Sequence, residues 1–181
     1  LRLLDLQRIS VNVNGDETTA KPDYVAHSAE PSVSADGRYV AFYSYANNLV
    51  QGDTNNAEDI FVKDTKDATV VRVSVTSTGG QSNGGATNMP RITPDGRYVV
   101  FRSGSTNLAT GNPADDTNNN WDIFVHDRDT DENGLYDEAD GFKTIRVSIS
   151  STGEQTTHSN FGNCNPSISD NGRFICFSTD A

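Results

Sequence analysis

Basic residues are scarce in this chain: 14 Lys and Arg stand against 25 Asp and Glu, a net charge of −11. That balance excludes a nucleic-acid partner, whose phosphates demand a basic face, and argues equally against anionic lipid. Long hydrophobic runs are also missing. Stretches such as Tyr98-Val99-Val100-Phe101 fall far short of the roughly 20 apolar residues that cross a bilayer as a helix, so no membrane insertion is expected. Glu and Lys together number only 10, whereas Asn and Asp supply 37 residues and Ser and Thr another 35. Such a mixture starves helices and favours turns and strands, so the expected fold is all-β.

Two cysteines, Cys164 and Cys176, do not fix the redox compartment. They flank a hairpin turn at Asn171-Gly172 that sets Asp170 opposite Arg173 and Ser167 opposite Cys176. Cys164 then falls further along on the other face, and a disulfide requires a bulge. The N-terminal Leu1-Arg2-Leu3-Leu4-Asp5-Leu6 is too short and too charged for a signal peptide. With no initiator Met, the sequence reads as a processed or excerpted piece. Its 181 residues and 34% hydrophobic content suit one domain, 1–181, with a thin core.

What the chain does contain is repetition. Pro31-Ser32-Val33-Ser34-Ala35-Asp36-Gly37-Arg38-Tyr39-Val40-Ala41-Phe42 recurs from Pro90 to Phe101 and again from Pro166 to Phe177. An Asp-Gly or Asn-Gly pair between apolar runs marks a hairpin, because Gly accepts the positive φ the turn demands. A second word, Asp59-Ile60-Phe61-Val62-Lys63-Asp64, returns as Asp122-Ile123-Phe124-Val125-His126-Asp127 and reads as a third strand. A third word, Arg8-Ile9-Ser10-Val11, returns at Arg72–Val75 and Arg146–Ile149 and alternates as a fourth strand.

Four strands per unit, with units starting 59 and 76 residues apart, describe β-propeller-type blades better than a sandwich. The units run over 1–30 (partial), 31–89, 90–165 and 166–181 (partial). Residues 1–6 fit the end of a third strand and 8–13 a fourth, while the chain stops after two strands of its last unit. The expectation is three blades' worth of strands, with one blade split between the N- and C-terminal ends. Three blades do not close a compact ring. The chain is therefore an excerpt, or copies complete each other's split blade by strand pairing.

The hairpin word followed by Asp-Ile-Phe-Val-x-Asp resembles the TolB-like β-propeller repeat, and the resemblance covers nearly the whole chain. It implies kinship with WD-repeat propellers, a periplasmic, secreted or cell-surface location, and a role as scaffold, peptidase gate or binding platform. It does not single out a function.

The sharpest local motif is Asp129-Thr130-Asp131-Glu132-Asn133-Gly134-Leu135-Tyr136-Asp137-Glu138-Ala139-Asp140. Compared with the calcium loop of EF-hands, Asp129, Asp131 and Asn133 take positions 1, 3 and 5, Gly134 the sharp turn, the Leu135 carbonyl position 7 and Asp137 position 9. Asp140 stands where EF-hands carry a bidentate Glu, as in dockerin-type loops. Six of the 25 acids crowd this loop with no Lys or Arg among them. The choice lies between a Ca2+ site that stabilises the loop and a solvated acidic turn. Before each third strand, Asp53-Thr54-Asn55 with Asp59, and Asp116-Thr117-Asn118 with Asn120 and Asp122, place oxygens that suit calcium. Asx-turns explain the same residues without metal.

His27, His126 and His158 lie in no nucleophile or zinc pattern, and His126 is expected at a surface or between blades. Trp121, Tyr24, Tyr43 and Tyr45 suit either a peptide or carbohydrate groove or inter-blade packing. Three functions stay open: a non-enzymatic, calcium-stabilised, extracellular binding or scaffolding module; a structural subunit that self-associates with other chains through the split blade into a ring or filament; and a carbohydrate-active enzyme using paired Asp residues.

Overall fold

A computed structural model describes residues 6–19, 25–109, 116–155 and 164–179. Strands β1 (Ser28–Val33), β2 (Tyr39–Ser44), β3 (Asp59–Asp64) and β4 (Val70–Arg72) form one antiparallel four-stranded sheet in chain order. Strands β5 (Thr87–Ile92), β6 (Tyr98–Ser103), β7 (Asp122–Asp127) and β8 (Lys143–Arg146) form a second of the same order. A third sheet holds β9 (Cys164–Ile168) and β10 (Ile175–Ser178). The all-β, blade-like expectation holds, and the first strand of each following blade lies against the first two strands of the blade before it, β5 against β1 and β2 and β9 against β5 and β6.

The central strands are apolar on both faces because both are covered. Ala41, Ile60 and Val62 point into a core shared with Ile92, Val99, Phe101 and Phe124 of the second blade. Phe42 and Phe61 point the other way and pack with Leu49, Val70 and Ile9. A strand covered on both sides reads as a continuous hydrophobic run rather than an alternation.

The hairpin register agrees with expectation, since Ser167 lies opposite Cys176. The turn itself is wider than a two-residue loop. Pairing ends at Val33↔Val40, Ile92↔Val99 and Ile168↔Ile175. Within the turn, the N–H groups of Gly37, Gly96 and Gly172 donate to the carbonyls of Ser34, Thr93 and Ser169. The Asp36 carboxylate accepts from Ser34 Oγ at 2.6 Å and from Arg38 N at 2.9 Å, and Asp95 and Asn171 repeat this. The side chain thus closes the loop that backbone pairing leaves open.

Each first strand carries a bulge just before its proline, where Glu30, Met89 and Asn165 take φ of 52°, 57° and 52°. In the third hairpin this bulge sets Cys164 opposite Ser178, and both cysteines are free. The bulge that a disulfide required is present, yet it does not bring the two sulfurs together.

Two strand expectations need correction. The fourth strands end at the Arg of the Arg-x-Ser word rather than running through it, because Ser74 and Ser148 replace the backbone ladder with their hydroxyls. Ile60 N donates to Ser74 Oγ at 3.1 Å and Ile123 N to Ser148 Oγ at 3.0 Å. Residues 8–13 form no strand. Val11 makes a single bridge to Glu17, as Val75 does to Gln81 and Ile149 to Gln155. The equivalent residues 73–77 and 147–151 form no strand either, so the segment follows the pattern of the complete blades. Ile9 packs with the first blade's Phe42 and Phe61. Residues 1–5 lie outside the described residues, and β9 and β10 pair only with each other among those described.

Candidate functional site

The acids before each third strand surround an arginine. Asp59 is fully buried at the start of β3, where its Oδ1 accepts from Ser74 Oγ at 2.5 Å and Ser82 Oγ at 3.2 Å. Its Oδ2 accepts from Asn55 Nδ2 at 2.9 Å and Arg72 Nη1 at 3.4 Å, and Asp53 faces the same guanidinium at 3.3 Å. The second blade repeats this with Asp122, Ser148 and Arg146, and Asp116 lies 3.8 Å from Arg146. Asn118 N donates to Asp116 Oδ1, and Asn120 N to Asn118 Oδ1, which are Asx-turns. The Arg of the fourth-strand word thus supplies positive charge beside these acids.

Burial raises the affinity of these acids for protons. Asp53 is pushed up to about 6 by burial and then by the charge of Asp59, with Arg72 opposing. Burial likewise raises Asp59, against Arg72 and the Ser74 hydroxyl, and raises Asp116.

The acidic loop between β7 and β8 gathers part of the expected donor set. Asp129 caps the turn, accepting from Asn133 N at 3.0 Å and Gly134 N at 3.0 Å. Asn133 Nδ2 donates to Asp131 Oδ2 at 2.9 Å and Glu138 Oε2 at 2.7 Å, while Asn133 Oδ1 accepts from Leu135 N. Asp129, Asp131, Asn133 and Glu138 therefore share one side of the loop. Asp137 is not with them. Its carboxylate turns to Arg128, with Nε at 3.0 Å and Nη2 at 2.5 Å. Asp140 sits at the loop's end with φ of 64°. Among the described residues, no three acids, histidines or cysteines stand in metal-holding geometry. The loop oxygens are engaged by amide donors rather than gathered on one point, so this arrangement does not fit a hard cation.

The same loop bridges the blades. Arg128 Nη1 donates to the Gly96 carbonyl at 2.7 Å, and its guanidinium lies 4.8 Å from the ring centres of both Tyr39 and Tyr136. Tyr136 packs on Tyr39 at 5.3 Å and donates to the Asp95 carbonyl at 3.2 Å.

His126 is 1% exposed, which overturns the surface half of its expectation. Its Nδ1 lies 2.9 Å from Thr144 Oγ1, which donates to the Val75 carbonyl of the first blade at 2.6 Å. Burial depresses the imidazole to about 4, so it is neutral at pH 7. His27 packs against Tyr43 and Tyr45 at 5.3 and 5.2 Å, with Nε2 2.9 Å from the Tyr43 hydroxyl. Arg102 stacks on Trp121 at 3.5 Å. These rings are thus occupied by neighbouring side chains. Tyr24 and His158 lie outside the described residues.

One repeated latch was missed in the sequence. Asn48 accepts from Thr19 N and donates to the Glu17 carbonyl; Asn107 accepts from Asn83 N and donates to the Gln81 carbonyl. Each ties the segment leaving one blade to the loop after the second strand of the next. Its signal is the Asn-Leu pair at 48–49 and 107–108, together with Gly15-Asp16-Glu17, Gly79-Gly80-Gln81 and Gly153-Glu154-Gln155.

No protein-family model and no curated protein matches the chain. Among solved structures it is similar to the β-propeller domain of the Trilobed protease from Pyrococcus furiosus. That match has 16% identity over 88% of this chain and 35% of the other, with a TM-score of 0.45. It is also similar to TolB from Acinetobacter baumannii, at 15% identity over 84% of this chain and 37% of the other, with a TM-score of 0.29. The chain spans about a third of the length of either. These likenesses concern fold, and the propeller-type fold stands on the chain's own repeated four-stranded sheets, packed one after the next.

Proposed function

We propose that this chain is a non-enzymatic, propeller-type binding or scaffolding module of the extracellular or periplasmic space, with its acidic loop stabilised by calcium. The observation that carries this reading is how the charged clusters are engaged. The Asp59 and Asp122 networks join strands, and the Arg128–Asp137 pair holds the Arg128 guanidinium against Tyr39 of the first blade. Such groups hold a platform rigid, and rigid platforms present loops to protein or peptide partners. Calcium at millimolar extracellular levels suits a loop of this kind. Asp129, Asp131 and Asn133 would have to turn their oxygens to the ion, which would supply positive charge to a loop, 129–140, that has no Lys or Arg of its own.

The test is thermal unfolding with calcium and with chelator. Calcium is expected to raise the midpoint by several degrees, and Asp129→Ala with Asp131→Ala to abolish the rise. An equal midpoint in both buffers removes calcium from the reading.

A second reading, assembly of copies by inter-chain blade completion, would pair β10, which among the described residues lies beside β9 alone, with a strand of another copy. Light scattering in calcium buffer decides it. A discrete dimer or a polymer supports assembly, and a monomer at micromolar concentration rejects it.

A further inference from the structure

The two complete blades differ most at the turn between their third and fourth strands. Residues 65–69 join β3 to β4, whereas residues 128–142 join β7 to β8. The longer turn reaches across to the first blade, and a cleft of about 430 Å³ lies between the two. Both of its walls belong to complete blades of four paired strands. Val62 and Val71, paired across β3 and β4, give it an apolar side, while Leu135, 59% exposed, and Tyr136 line it from the loop. A volume of this size with apolar walls and a few polar groups is the usual make-up of a small-ligand site.

Some of its polar groups are engaged and others are open. Asp64 accepts from Arg38 Nε at 2.9 Å and from the N–H groups of Lys66 and Asp67, and Asp137 holds Arg128. The open groups are mixed in kind. Among the described residues the Tyr39 and Thr69 hydroxyls make no hydrogen bond, and Arg38 Nη1 meets no acceptor. Asp67, 55% exposed, uses only its Oδ2, which accepts from Arg38 Nη2 at 2.8 Å.

Charge narrows the ligand further. Asp64, Asp67 and Asp137 stand beside two guanidiniums that are bound to them, so an anion finds no spare cation there. A cation would compete with Arg38 and Arg128 for the same carboxylates. A neutral ligand rich in hydroxyls meets neither obstacle. Each of its hydroxyls both donates and accepts, and so suits the Asp67 carboxylate, the Arg38 Nη1 and the Tyr39 and Thr69 hydroxyls alike. A sugar ring adds C–H faces that match Val71 and Leu135.

We propose that this inter-blade cleft binds a neutral carbohydrate of one or two rings. The inference rests on the reading of the chain as a non-enzymatic binding module and gives that module a ligand class.

The test follows amide resonances of the nitrogen-15-labelled intact chain while maltose, cellobiose, lactose and N,N′-diacetylchitobiose are titrated separately. At least one is expected to shift Asp67, Thr69, Val71 and Leu135 together and to saturate with a Kd of about 1 mM or tighter. Asp67→Asn with Thr69→Val changes open groups on exposed residues, so the fold persists and the Kd is expected to rise at least about tenfold. Leu135→Ser on the opposite wall is expected to raise it about fivefold. No shift with any of these sugars overturns the proposal, as does a Kd that the double variant leaves unchanged. Shifts caused by acetyl-trialanine amide and by no sugar give the cleft to a peptide and overturn it too. Either failure leaves the module reading standing. Chromatography of the recovered sugar tests that reading separately. Intact disaccharide supports it, whereas cleaved disaccharide rejects it while saturable shifts keep the cleft.

Discussion

Gly96 shows how a single position serves two blades. It sits in the turn of the second hairpin at φ +85°, and a Cβ there would lie 2.3 Å from the Tyr39 ring of the first blade. Gly172 repeats the arrangement, with Tyr98 at 2.4 Å. Gly37 has the same turn and φ +76°, but nothing lies within 4 Å of its Cβ position. Gly37→Ala is therefore expected to cost only the left-handed backbone penalty, about 1 kcal/mol. Gly96→Ala adds displacement of an aromatic ring and is expected to cost about 3 kcal/mol. Urea unfolding of the two variants compares them, and equal losses would mean that Tyr39 moves aside freely. The sequence shows that a turn glycine is needed at all three positions. It does not show the second demand on Gly96, because the ring that makes it comes from a different repeat.

The joint between β3 and β4 was partly visible in the sequence and partly hidden. Its acids were evident in Asp53-Thr54-Asn55 and Asp59, and the recurrence of Arg-x-Ser was evident too. That the two words meet was not, since strand pairing alone brings Arg72 and Ser74 to Asp59. The displacement of the fourth strand has the same origin, because a hydroxyl that continues the ladder looks in sequence like one more alternating residue. The joint carries a pH dependence whose sign follows from Asp53. Its folded value of about 6 lies above the ordinary carboxylate value of 3.8 because burial and the Asp59 charge outweigh Arg72. A raised acid contributes stability that is fully present below its unfolded value and is lost as pH rises through its folded value. Asp53→Asn removes that loss, so its stability relative to the parent is expected to climb between about pH 4 and 6. The climb should reach about 1 kcal/mol once solvent screening is allowed for. Guanidinium melts across that range measure it, and parallel pH profiles for variant and parent would contradict the assignment.

The two complete blades are held together by an apolar core and by a polar clamp, and only the core was readable in advance. Ala41, Ile60 and Val62 against Val99, Phe101 and Phe124 follow from strands that are hydrophobic on both faces. The clamp arises from the acidic loop. Judged by spacing, that loop is a cation site, yet its Asp137 holds Arg128, and Arg128 lies against the Tyr39 and Tyr136 rings. A pattern of ligand spacings carries no record of an arginine that competes for one of the ligands. Repeat proteins unfold as one unit only while the contacts between neighbours exceed the differences in their own stability. Tyr136→Ala removes a ring, its hydroxyl bond to Asp95 and one face of the Arg128 stack, an expected loss of about 2–3 kcal/mol. In the parent, Trp121 fluorescence, which reports the second blade, and amide exchange of β2 and β3, which reports the first, are expected to give one urea midpoint. In the variant the two midpoints should separate, with one blade persisting after the other has opened. Coincident midpoints in the variant would assign the coupling to the apolar core alone, because the ten buried side chains of that core are untouched by the substitution.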